Sequence, residues 1–214
     1  QGVTGLLAAP GMQPDWPGQI QAQLIGVAAL FGMAFLAGLA VFGLLAWVDH
    51  QEGQAQQASA AFEQLVATVE TGNADAARTQ ARLLLEKHGD SAYGALTQLM
   101  LAKVEIAAQQ PQAARQALEQ AMAKAPEPGL AKVAALRLAR LLMAQGEGEA
   151  ALALIAREDQ GGPFAADFAA LRGDLALAGG RIAEARADYE RAIAQGAANP
   201  ALLRLKLENL PPAG

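Results

Sequence analysis

The sequence predicts an all-α protein: one N-terminal membrane-spanning helix followed by an α-solenoid of stacked helical hairpins. Three observations predict it. The run from Leu24 to Trp47, LIGVAALFGMAFLAGLAVFGLLAW, contains no charged residue. From Phe62 onward apolar residues recur at intervals of three and four, the period of an amphipathic helix, and the pattern is interrupted by short Gly, Pro and Asn breaks. Small residues then recur at a fixed long interval, which is the mark of a repeat architecture. No segment reads convincingly as a strand.

Residues 1–23 form a tail. Pro10, Pro14 and Pro17, with several glycines, oppose regular structure there. Residues 24–48 are read as a transmembrane helix. At about 1.5 Å per residue the run spans roughly 36 Å, enough for a hydrocarbon core of about 30 Å with some tilt. A cleaved signal peptide fits less well, because its apolar core is shorter and its start is basic. Here the first Lys or Arg is Arg78. For the same reason the positive-inside rule gives no orientation. Ala28 and Gly32 stand four apart, as do Ala34 and Gly38, a spacing that lets a second membrane helix, or a second copy of the chain, approach closely.

Residues 49–61 read as a polar connector and 62–210 as the soluble helical domain, with 211–214 as a short C-terminal tail. The first pair of helices carries Phe62, Leu65, Val66 and Val69, then Ala77, Ala81, Leu84 and Leu85, divided at Thr71-Gly72-Asn73 and closed at Gly89-Asp90-Ser91. The second spans Ala92–Ile106 and Gln112–Lys124, with Pro111 suited to a first turn and Ala125-Pro126-Glu127-Pro128-Gly129 as a stop. The third spans Leu130–Ala144 and Gly148–Arg157, ended by Gly161-Gly162-Pro163. The fourth spans Phe164–Leu177 and Ile182–Gln195 across Gly179-Gly180, and Asn199-Pro200 opens a last helix that reaches Leu210.

Gly146 and Gly180 stand 34 residues apart, as do Ala139 and Gly173, Ala151 and Ala185, and Ile155 and Tyr189. The last unit therefore reads Gly173, Gly180, Ala185, Tyr189, Ala192: small residues where two helices cross, and an aromatic to fill the space beside them. This is the pattern of a tetratricopeptide repeat. Ala114, Leu118, Ala121 and Pro126 place an earlier unit in a similar register at a slightly longer interval. One hairpin cannot bury its own apolar face, so several must stack, giving a right-handed solenoid.

Composition excludes several functions. The formal net charge of −5 gives a nucleic-acid partner no electrostatic support. The absence of cysteine removes disulfides, thiol catalysis, cysteine-ligated metals and the lipidated cysteine of a lipoprotein. His50 and His88 are isolated, and a His at a helix end is explained by the helix dipole. Glu147 with Glu149, and Glu158 with Asp159, sit in or beside breaks and read as solvated surface rather than as acid–base pairs. Gly146, Gly148, Gly161 and Gly162 are helix breaks, not a phosphate loop. Asp174, Glu184, Asp188, Arg172, Arg181, Arg186 and Arg191 read as a mixed-charge surface. No cofactor, metal site or enzyme activity is expected. Arg137, Arg140 and Arg172 recur on first helices of hairpins and are the candidate partner-binding residues, since solenoids hold partner segments on their concave face.

The order of Tyr93-Gly94-Ala95-Leu96, Leu101-Ala102-Lys103, Leu136 to Leu142, Phe164-Ala165-Ala166, Leu171-Arg172-Gly173-Asp174 and Pro200 to Leu210 resembles the family of ancillary SecYEG translocon subunits, YfgM-like proteins with a tetratricopeptide-type domain. The resemblance covers about residues 45–210. Family members usually carry a basic segment before the anchor, and this chain carries a Gly/Pro-rich, nearly uncharged tail instead. The resemblance implies a single-pass protein of the bacterial inner membrane with its helical domain in the periplasm. It also implies association with the SecYEG translocon and with a periplasmic chaperone such as PpiD. Alternative readings are a cytochrome-c maturation subunit that holds apocytochrome segments, and a homo-oligomeric membrane scaffold.

Overall fold

The computed structural model describes residues 41–48 and 52–211. Ala28, Gly32, Ala34 and Gly38, and most of the run read as a membrane span, lie outside the described residues. Among the described residues no helix is long and apolar enough to cross a membrane. Residues 41–48 are helical and every one of them is exposed, Phe42, Leu44, Leu45 and Trp47 included.

The compact unit begins at Gln56. The helix α1 runs over 52–70, from before the start of that unit into it, so the boundary read between 61 and 62 falls inside a helix. Ala58, assigned to the connector, is buried. The helices that follow are α2 (Ala74–His88), α3 (Ala92–Ala107), α4 (Pro111–Lys124), α5 (Pro128–Ala144), α6 (Gly148–Glu158), α7 (Ala165–Ala178), α8 (Ile182–Ala194) and α9 (Pro200–Glu208). A single 3₁₀ turn, Gly162–Phe164, precedes α7.

Local chemistry sets the boundaries. The side chains of Asn73, Ser91 and Asn199 accept the backbone N–H of Ala76, Gly94 and Leu202, relieving donors that have no partner in a first helical turn. Pro111, Pro128 and Pro200 each open a helix, where a missing N–H costs nothing. Pro128, expected to belong to a stop, is thus the first residue of α5.

The helices pair as α1/α2, α3/α4, α5/α6 and α7/α8, and α9 closes the end. From α2 onward each helix packs on its neighbour in sequence, and Leu65 of α1 shares an apolar cluster with Ala77 and Ala81 of α2. In addition α3 touches α5 and α5 touches α7, and Phe62 on α1 meets Tyr93 on α3 at 5.9 Å between ring centres. The first helices of successive hairpins therefore lie side by side in one row.

The packing is periodic. Leu65, Ala102, Ala139 and Gly173 are buried at one register position of the first helices, and Ala77, Ala114, Ala151 and Ala185 at another on the second. Ala81, Leu118, Ile155 and Tyr189 form a third buried set. The first two intervals are three residues longer than the last. At Gly173 the two helices of the fourth hairpin are so close that a Cβ would lie 2.7 Å from Tyr189 ring atoms. That ring is fully buried, packs with Leu203 of α9 in one apolar cluster, and donates its hydroxyl to Asp174 Oδ1 at 2.7 Å. Burial, together with that bond, holds the phenol well above its usual pKa.

Candidate functional site

The row of first helices leaves a groove of about 570 Å³ between α3 and α5, floored by α4. Its construction follows from the helix period. On α5, Leu138, Leu141 and Leu142 face inward, and Arg137 and Arg140, one turn apart, stand exposed at the edge of that face. On α3, Leu99 and Ala102 face inward while Lys103 and Ile106 remain exposed. Leu99, Leu118 and Leu141 form a buried floor, Ile106 is a half-exposed apolar wall, and Lys103, Arg137 and Arg140 surround them. The carboxylates that pair with Arg or Lys elsewhere in the described residues do not reach these three cations, which have no acidic partner there.

Arg172, expected with Arg137 and Arg140, is placed differently. Its guanidinium donates to Asp188 at 3.0 Å and to Asp159 at 3.3 Å, and Asp188 also accepts from Arg191 at 3.1 Å. It joins α7 to α8 and to the end of α6, and it does not line the groove.

Several of the acidic residues read as solvated surface also have partners. Glu147 accepts from Arg115 at 3.0 Å, across from α4 to the start of α6. Bonds to Glu119 and Glu147 raise the Arg115 pKa. Glu158 accepts from Arg157 at 2.9 Å and pairs with Lys132 at 3.5 Å. Burial alone would raise its pKa, but these two cations outweigh burial and lower it. Asp174 takes Tyr189 and Lys206. Arg78 clamps the buried Glu105 with bonds of 2.7 and 2.8 Å, fastening α2 to α3. These pairs staple adjacent helices.

A second groove, about 660 Å³, lies between α4 and α6 over α5. Its charged residues include Arg115, Glu119, Arg157 and Glu158, which are satisfied by one another or by Glu147. A groove whose charges are already paired offers less to a charged ligand than one whose cations are not. Among the described residues no three His, Asp or Glu side chains are grouped so as to hold a metal ion. His88 is the last residue of α2.

Lys103 and Ile106 were not singled out from the sequence. The signal for Lys103 was available, since it stands to Arg140 as Ala102 stands to Ala139. Seeing it requires carrying the register back into the second hairpin through the longer interval.

Comparison with known proteins agrees with the architecture. The family described as a tetratricopeptide repeat-like domain matches residues 26–212. An ancillary SecYEG translocon subunit of Escherichia coli is 30% identical over 190 residues, 87% of this chain and 85% of that one. The protein of the same name from Haemophilus influenzae is 29% identical over 83% of this chain and 87% of its own length. That of Aggregatibacter actinomycetemcomitans is 31% identical over 79% and 83%. A solved structure from a functional characterization of Pseudomonas aeruginosa pilF superposes with a TM-score of 0.55 over 73% of this chain and 71% of its own, at 19% identity. At that identity it speaks for the fold alone.

Proposed function

Because the chain belongs to the tetratricopeptide repeat-like family, together with the ancillary SecYEG translocon subunits, we propose that it is a membrane-anchored scaffold of a SecYEG-type translocon that acts by binding other proteins. The observation that carries this reading is collinearity: the similarity to proteins of that name runs through nearly the whole length of both chains. The geometry supports binding over catalysis. Of the acidic residues that might have formed an acid–base pair, Glu147, Glu158 and Asp159 are engaged with basic side chains. The open features are grooves between hairpins, which suit a segment of another protein.

In this reading residues 24–48 anchor the chain, and the helical domain stands in the periplasm beside emerging chains, within reach of a chaperone such as PpiD. The exposed apolar side chains of 41–48 support an anchor, since such a surface is stable in lipid and costly in water. Crosslinking of the tagged full chain in native membranes, followed by identification of the captured proteins, tests the proposal. Translocon subunits should be enriched over an unrelated single-pass membrane protein. Their absence from the captured set would defeat the reading, and enrichment of haem-ligation proteins would replace it with cytochrome maturation.

A further inference from the structure

The groove between α3 and α5 combines two features. Its floor is apolar, and a large apolar side chain, Ile106, is left 50% exposed in its wall. Its charged lining is of one sign: Lys103 on one side, Arg137 and Arg140 on the other. Several cations elsewhere in the unit are neutralised. Arg78 is taken by Glu105 and Asp75, Arg115 by Glu119 and Glu147, Arg172 by Asp159 and Asp188, and Lys206 by Asp174. Among the described residues the three groove cations have no acidic partner, so the groove is locally positive in a chain whose formal net charge is −5.

We infer that the α3–α5 groove takes an acidic–apolar segment of a partner protein, an apolar side chain set among carboxylates. Seated over Leu99, Leu118 and Leu141, the apolar side chain removes Ile106 and the floor from water. Carboxylates beside it meet Lys103 on one wall and Arg137 and Arg140 on the other. Burial supplies most of the affinity, and the charges supply selection, because exposed ion pairs are individually weak and a basic segment meets three repulsions. The net negative charge of the whole chain opposes acidic segments at a distance, so the preference acts at contact and not as long-range steering. This inference rests on the reading of the solenoid as a binding scaffold and adds the chemistry of what it binds.

The test uses the full chain in detergent and a labelled synthetic peptide of alternating leucine and glutamate, with a twin in which glutamine replaces glutamate. Fluorescence anisotropy should show the glutamate peptide binding about tenfold tighter than its twin. The difference should collapse in high salt, which shortens the screening length from about 10 Å to about 3 Å. The triple variant Lys103→Gln, Arg137→Gln, Arg140→Gln should abolish the preference with an unchanged circular dichroism melt. Arg186→Gln with Arg204→Gln, which removes exposed cations away from the groove, should leave the preference intact.

Equal binding of the two peptides, failure of both to bind, or an unaltered preference in the triple variant would each overturn the inference. So would self-association of the full chain that the triple variant abolishes, which would make a second copy the occupant. A groove-dependent preference for anionic vesicles over the glutamate peptide would point to lipid and overturn it too. Translocon crosslinking by the unmodified chain, measured in parallel, separates this outcome from that of the scaffold reading. Retained crosslinking without peptide selection sinks only the acidic preference, and peptide selection without crosslinking sinks only the translocon assignment.

Discussion

A single missing methyl group sets the closest approach in the fourth hairpin. Gly173 faces the Tyr189 ring, and a Cβ there would overlap Cδ1 and Cε1 at 2.7 Å. The ring has little room to yield, being fully buried and held through its hydroxyl by Asp174. Gly173→Ala gains up to about 1 kcal/mol of helix propensity but forces α7 and α8 apart, so a net destabilisation of roughly 1–3 kcal/mol is expected. Thermal melts of the full chain should register this as a lower Tm for the helical unit. Combining it with Tyr189→Leu should cost less than the two changes summed, because the second removes the obstacle to the first. Additive losses would mean that the two residues do not meet. Gly173 and Tyr189 were legible in the sequence because packing leaves a size signature at a fixed period. The ion pairs were not, because which Arg meets which Glu depends on rotamers and on how hairpins are offset. Arg172 illustrates this: its place on a first helix suggested the groove, and its partners Asp159 and Asp188 take it elsewhere.

The elements repeat through their turns as much as through their helices. After α3, α5 and α7 the chain closes with the same pair of backbone bonds. Gln109, Gly146 and Gly180 donate to Ile106, Met143 and Leu177, and the next residues, Gln110, Glu147 and Arg181, donate to Glu105, Leu142 and Ala176. This is the Schellman closure, and it requires a left-handed residue. Gly146 and Gly180 supply it at φ of 78° and 71°, whereas Gln109 adopts φ of 57° with a side chain attached. Replacing Gln109 with Gly removes a backbone cost of about 1 kcal/mol or more and adds somewhat less in unfolded-state entropy. Gln109→Gly should therefore raise stability by roughly 0.5 kcal/mol, and Gln109→Val, β-branched, should lower it. Chemical denaturation of the two variants beside the parent measures both signs, and a stabilising Val would contradict the left-handed turn. The existence and order of the helices were legible because breaks carry Gly, Pro and Asn. Their ends were less so. Pro128 reads equally as a stop or as a first turn, and the start of α1 is hidden because alanine and glutamine fit a connector and a helix alike.

At the scale of the molecule, the proposed function divides the labour between an anchor that would fix position and a solenoid that presents a groove. If residues 24–48 span the bilayer, the groove is held near the membrane, close to where exported chains emerge, and the local concentration of segments passing it rises accordingly. Orientation is the part of the proposed function that must be measured. Two measurements follow in sequence. Alkaline carbonate extraction of membranes should leave the full chain in the pellet, and its release would remove the anchor. Protease added to intact spheroplasts should then digest the helical domain, whereas a domain digested only after lysis would lie in the cytoplasm and end the periplasmic reading. Given the expected orientation, Gly32→Leu with Gly38→Leu should reduce translocon recovery several-fold while leaving the melt of the helical unit in place, because bulk at those positions keeps a second membrane helix at a distance. Undiminished recovery would shift the docking surface from the anchor to the solenoid, where the row of first helices and its unpaired cations would have to carry it.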